Sequence, residues 1–170
     1  MKIKGTLSAF AIMAILLVGC GSDDKEPVKE NETQDVAKMS DKEIYIKLRE
    51  VNSWYTSELW NDGLCDISWY ANKGTSATGQ ELDIEMTLKR YNEALEKMDD
   101  YNTFITGLDD KKYDDVKYAW DKLYNGIKES DKIIKANEIT ANSGLDLKTS
   151  VLSQYSDAFK DYISKLDTEK

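Results

Sequence analysis

From Ser40 onward, apolar side chains return every three or four residues, the period of an amphipathic helix. The first such stretch covers residues 40–72, with Ile44, Leu48, Val51, Tyr55 and Leu59 on one face. Ser40 followed three positions later by Glu43 has the form of a capping box and marks its start. Asn61-Asp62-Gly63 offers a breaking point, but apolar residues resume at Leu64 and Ile67, so a continuous or kinked helix is expected. Residues 73–79 form a loop by their Gly, Ser and Thr content. A second helix is predicted over residues 80–106, started by a Thr78/Glu81 capping box. Its stripe of Ile84, Leu88, Tyr91, Leu95, Met98, Asn102 and Ile105 alternates steps of four and three, the seam of a helical bundle. Gly107 ends it. Asp109 and Asp110 suit the N-terminus of a third helix, with Tyr113, Val116, Trp120, Leu123, Ile127, Ser130 and Ile134 facing inward. After a turn at Asn142-Ser143-Gly144, a fourth helix over residues 146–166 places Val151, Leu152, Tyr155, Phe159, Tyr162 and Ile163 inward. No stretch reads as a strand. Four amphipathic helices with short connections predict an all-α, antiparallel, up-down-up-down four-helix bundle over residues 41–170.

The chain upstream has a different character. Residues 21–40 are polar and charged, hold the single proline, Pro27, and lack an apolar period, so they read as a flexible tether. Twenty residues of flexible coil reach about 25 Å. Lys2 and Lys4 precede an apolar run of about a dozen residues between Leu7 and Val18, too short to span a bilayer, which takes about 20. Basic flank and short apolar core together make a secretory signal, with no A-x-A-like cleavage site after it. The run Leu17-Val18-Gly19-Cys20 resembles the lipobox of bacterial lipoproteins. The resemblance covers the first twenty residues only. It implies removal of residues 1–19 and a diacylglyceryl group on the Cys20 sulfur, so that residues 20–40 become a lipidated linker. Two acyl chains, at about 0.8 kcal/mol per buried CH₂, make a stable anchor. The implied location is the outer face of a cell membrane, and the Gly-Cys-Gly-Ser run with its acidic, Lys-rich tail suits a Gram-positive surface.

Charge narrows the choice of partners. Without Lys2 and Lys4 the chain carries 21 basic and 32 acidic residues, a net charge of −11. Nucleic-acid binding depends on basic neutralising charge, so it is not expected. Acidity is accounted for by solubility, or by a cationic partner such as a basic peptide. With Cys20 acylated, Cys65 has no partner for an intramolecular disulfide. Among Leu64, Ile67 and Trp69 it is expected to pack as a small hydrophobe, a reactive thiol being the alternative.

Histidine is absent from the sequence, which removes His-activated nucleophiles, the usual neutral-pH general base and the Glu-x-x-His pairs of di-iron bundles. No phosphate-binding glycine loop or nucleophile elbow is present. Neither a cofactor nor a resident metal is expected. One irregularity stands out. Continuing the first heptad seam beyond Tyr55 brings Glu58, Asp62, Cys65 and Trp69 onto the core face, where unpaired carboxylates are costly. A stutter to Leu59, Gly63, Ile67 and Tyr70 turns the acids outward. The alternatives are an exposed helix end or a bond to Tyr or Lys, and a site for a cation or cationic ligand built on Glu58 and Asp62, with Asp66 as a further member. Asn102 on the second seam either sets register or lies at an exposed end. Trp54, Trp69 and Trp120 are expected in the core. Trp60 and Tyr118 fall off the stripes, and an off-stripe Trp60 suits stacking on a glycan or anchoring a protein.

These features predict a non-enzymatic, membrane-anchored surface module that binds a protein or peptidoglycan partner. A protective role, of the bacteriocin-immunity or phage-exclusion kind, fits its location, size and charge. The alternatives are a wall-associated accessory or ligand-binding lipoprotein and, third, an enzyme acting on envelope polymers.

Overall fold

The computed structural model of the protein describes residues 36–168. The predicted signal segment, Cys20 and most of the tether lie outside them. The described residues form helices without a strand, arranged as four rods. The first rod joins α1 (Asp41–Trp54), a π-helical segment (Tyr55–Cys65) and α2 (Asp66–Lys73); the second joins α3 (Ile84–Leu95) and α4 (Met98–Thr106); the third is α5 (Asp110–Ala136) and the fourth α6 (Thr149–Thr168). Contacts fix the direction of each. Tyr101 meets Glu50 and Lys97 meets Glu58, so the second rod runs against the first. Trp120 meets Asn102 and Tyr124 meets Asp99, which sets the third against the second. Trp120 also packs on Phe159, and Gly126 lies against Leu152, so the fourth opposes the third. This is the predicted antiparallel bundle.

Local chemistry explains most helix ends. The Ser40 capping box forms: its backbone N–H donates to Glu43 at 2.8 Å and its hydroxyl accepts from the Glu43 N–H at 3.4 Å. One turn of 3-10 helix, Val36–Lys38, precedes it, and Val36 and Met39 pack half-buried on the core, so folded structure begins slightly before the expected boundary. Thr78 and Glu81 do not start the second rod. Asp83 does, its side chain accepting from the Met86 N–H, which leaves 74–83 as loop. Asp109 caps α5 as the sequence suggested. Gly74 ends the first rod at φ +73°, a left-handed conformation open to glycine without strain. The 137–148 connection then folds back over that end. The Asn142 and Gly144 N–H groups donate to the Tyr70 and Ala71 carbonyls at 3.2 and 2.8 Å, satisfying acceptors that a helix C-terminus leaves open.

Not all seams lie where the apolar period put them. On α5 the expected residues, from Tyr113 to Ile134, are all buried. On the second rod the buried line is Thr87, Tyr91, Ala94, Met98, Tyr101 and Ile105, while Ile84, Leu88 and Leu95 sit half-exposed on its flank. The rod is also interrupted at Glu96 and Lys97. There the Ala94 carbonyl accepts the buried Trp54 indole N–H at 3.0 Å together with a tightened bond from the Lys97 N–H at 3.4 Å. A side chain inserted into the helical ladder is a standard cause of such a break. Val151, expected inward, is exposed because α6 presents Leu152 to the core instead.

The Tyr91 ring is fully buried, and its hydroxyl lies beside Asp131 without hydrogen-bond geometry. Burial first, and the Asp131 charge second, push that hydroxyl far above its ordinary pKa. An unpaired buried hydroxyl is a net cost. Tyr91→Phe is therefore expected to stabilise the bundle by about 1 kcal/mol. Urea unfolding followed by circular dichroism reads this directly; a lower midpoint at unchanged slope would reveal a bond that the geometry does not contain.

Candidate functional site

The π segment decides which side chains face outward. Its hydrogen bonds span one residue more than those of an α-helix, so each turn takes up roughly four and a half residues. Tyr55, Leu59 and the pair Gly63/Leu64, spaced by four or five, accordingly stay on the core side. Asn61-Asp62-Gly63 passes through the helix without breaking it. Ile67 continues the buried line and Tyr70 lies half-buried beside it, which is the stutter expected from sequence. The displaced register also corrects Trp69, which is 45% exposed rather than in the core.

The sequence candidates come out separated in role. Glu58 is exposed and ion-paired with Lys97, whose ammonium lies 2.8 and 3.1 Å from its two oxygens. Asp62 is exposed. Asp66 accepts the Ala77 N–H at 2.8 Å and thereby tethers the 74–83 loop. No group of three or more acidic or cysteine side chains positioned to hold a metal ion occurs among the described residues. Trp60 is half-buried, with its ring centroid 6.1 Å from that of Tyr55, so it packs rather than projects. Tyr118, in contrast, is 63% exposed. Cys65 is half-buried and free; burial, and secondarily the Asp66 charge, raise its thiol pKa and keep it in the unreactive form. Asn102 joins two rods. Its side-chain oxygen accepts the Trp120 indole N–H at 3.1 Å and ties the second rod to the third.

A different site lies on the other flank of the first rod. Tyr45, Arg49, Asn52, Ser53, Thr56 and Ser57 line one wall of a cleft of about 600 Å³, and Lys160, Ile163 and Ser164 of α6 line the other. Tyr45, Arg49, Asn52 and Thr56 sit one residue beyond the core seam of Ile44, Leu48, Val51 and Tyr55, and Ser53 and Ser57 follow directly, so they face the groove between the first and fourth rods. Serine and threonine there are too small to fill that groove, which leaves it open. The lining contains two cations and no carboxylate, in a chain with a net charge of −9. Arg49 lies over the Tyr45 ring at 5.9 Å, a cation–π contact that restrains the guanidinium. The Asn52 side-chain oxygen is buried and has no hydrogen-bond partner. Such a wall supplies fixed positive charge and several hydroxyls that donate or accept.

Sequence reasoning missed this cleft, because its walls come from helices about a hundred residues apart. The visible signal was a row of small polar residues beside the first seam. No protein-family model, curated protein or solved structure matches the chain.

Proposed function

We propose that the protein is a lipid-anchored surface module that binds its partner without transforming it. The observation that carries the binding reading is the open, carboxylate-free cleft between α1 and α6. The signal-like N-terminus and the Leu17-Val18-Gly19-Cys20 run support anchoring through a diacylglyceryl group on Cys20, facing outward from the cell membrane. No described helix is long and apolar enough to cross a membrane. Acidic net charge supports a partner other than nucleic acid. Cleft and tether together favour a ligand-binding or wall-associated accessory role. The protective version rests on the acidic surface and on location, and challenge of a deletion strain with bacteriocins and phage tests it; an unchanged sensitivity profile rejects it.

Anchoring is tested first. Wild-type protein is expected in the membrane fraction, with residues 1–19 absent and Cys20 carrying a diacylglyceryl mass. Cys20→Ala is expected to shift nearly all of it to the soluble fraction. Intact Met1 together with an unmodified Cys20 in the mature wild-type protein rejects the anchor.

A further inference from the structure

We propose that the cleft between α1 and α6 recognises a polyol phosphate, the chemistry of a glycerol-phosphate unit. The inference rests on the reading of the chain as a binding module and names its ligand class.

Charge gives the first element. Arg49 on one wall and Lys160 on the other are the cations of the lining, and neither forms an ion pair with a carboxylate among the described residues. Phosphate presents several equivalent oxygens and is suited to bridge cations arriving from two sides. A carboxylate has two oxygens, and one guanidinium fork already matches them. The hydroxyls give the second element. Ser53, Thr56, Ser57 and Ser164 can bond to both phosphate oxygens and alcohol groups. Ile163 and the Tyr45 ring add an apolar surface for the carbon backbone of a polyol. An anion alone engages the cations and a neutral polyol only the hydroxyls; a polyol phosphate engages both.

Two sources carry this chemistry: soluble or polymer-borne glycerol phosphate, and the headgroup of a glycerol-phosphate lipid. The test uses the full lipidated chain in phosphatidylcholine nanodiscs, titrated calorimetrically with sn-glycerol 3-phosphate, inorganic phosphate and glycerol. Glycerol 3-phosphate is expected to bind tightest, inorganic phosphate more weakly, and glycerol not measurably. Arg49→Ala and Lys160→Ala are each expected to weaken glycerol 3-phosphate about tenfold or more. Lys132→Ala on α5 is expected to change nothing. Circular dichroism melts confirm that the variants fold. Replacing phosphatidylcholine by phosphatidylglycerol separates the sources: weakened binding of the soluble ligand identifies competition from the headgroup, and unchanged binding identifies the free polyol phosphate. Glycerol 3-phosphate binding no better than glycerol, or binding indifferent to both Arg49→Ala and Lys160→Ala, overturns the inference. If purified wall material still retains such a protein, the binding-module reading survives while the ligand class falls.

Discussion

Trp54→Ala is expected to remove about 3–5 kcal/mol of folding stability, the cost typical of emptying a buried indole site. Trp54 is 3% exposed and connects two rods in two ways. Its ring packs on Tyr101 with centroids 4.9 Å apart, and its N–H donates to the Ala94 carbonyl at 3.0 Å. Truncation empties the site and withdraws a donor from a buried carbonyl. Trp54→Phe separates the two effects: it keeps most of the ring and removes the donor, for an expected loss of about 1–3 kcal/mol. Total stabilities of single domains are about 5–15 kcal/mol, so the alanine variant would sit close to unfolding at body temperature. Urea unfolding followed at 222 nm, roughly the wavelength of the helical minimum, avoids the altered tryptophan fluorescence. A loss under about 1 kcal/mol for Trp54→Ala would mean that the indole is not the pin between α1 and the α3/α4 junction.

That pin also shows why some elements were legible in the sequence and others were not. The α5 seam was legible from Tyr113 to Ile134 because the helix runs without a break beyond its kink at Tyr113 and obeys one period from there on. The break at Glu96 and Lys97 was not, since both are good helix formers and the cause is an indole forty residues upstream. Tertiary contact likewise chose Thr87 and Ala94 over Leu88 and Leu95 for the inner line. Small residues let Tyr91 and Tyr101 reach across to the first rod, a preference that hydropathy does not encode. The stutter after Tyr55 was visible as a conflict between a heptad and its charges, yet the sequence could not say that a π segment resolves it. Trp69 was misplaced by the same uncertainty.

The candidate site was less legible still. Carboxylates and an off-stripe tryptophan drew the eye to Glu58, Asp62 and Trp60. Two of these have structural roles, Glu58 with Lys97 and Trp60 against Tyr55. The open cleft is lined by residues that look ordinary in sequence, serines, a threonine and an asparagine beside the first seam. Net charge points to a cationic partner, while the cleft has the opposite local sign. A small anion must approach through a repulsive long-range field, so its binding is expected to be held by short-range bonds. Added salt, which screens distant charges over about 10 Å at 0.1 M, should weaken it little.

Gly63→Val is the sharpest probe of the link between the π segment and the second rod, with an expected loss of about 1–3 kcal/mol. A β-carbon at Gly63 meets the Tyr91 ring at 3.1 Å and the Tyr91 β-carbon at 3.5 Å. Tyr91 is fully buried and cannot swing aside. Alanine at this position gains about 1 kcal/mol of helix propensity over glycine, enough to offset one tight contact, so Gly63→Ala should be nearly neutral. Valine adds two methyl groups with little further propensity gain, and the rods must separate to admit them. Cutting back the opposing side chain distinguishes steric conflict from an intrinsic backbone effect. In the Tyr91→Leu background, Gly63→Val should cost at least about 1 kcal/mol less than in the wild type, a coupling that a double-mutant cycle measures. Equal losses in both backgrounds would locate the penalty in the π-helical backbone itself. Because Thr56 and Ser57 of that segment line the cleft, a steric displacement at Gly63 should also weaken glycerol 3-phosphate binding, and the same Tyr91→Leu change should restore it.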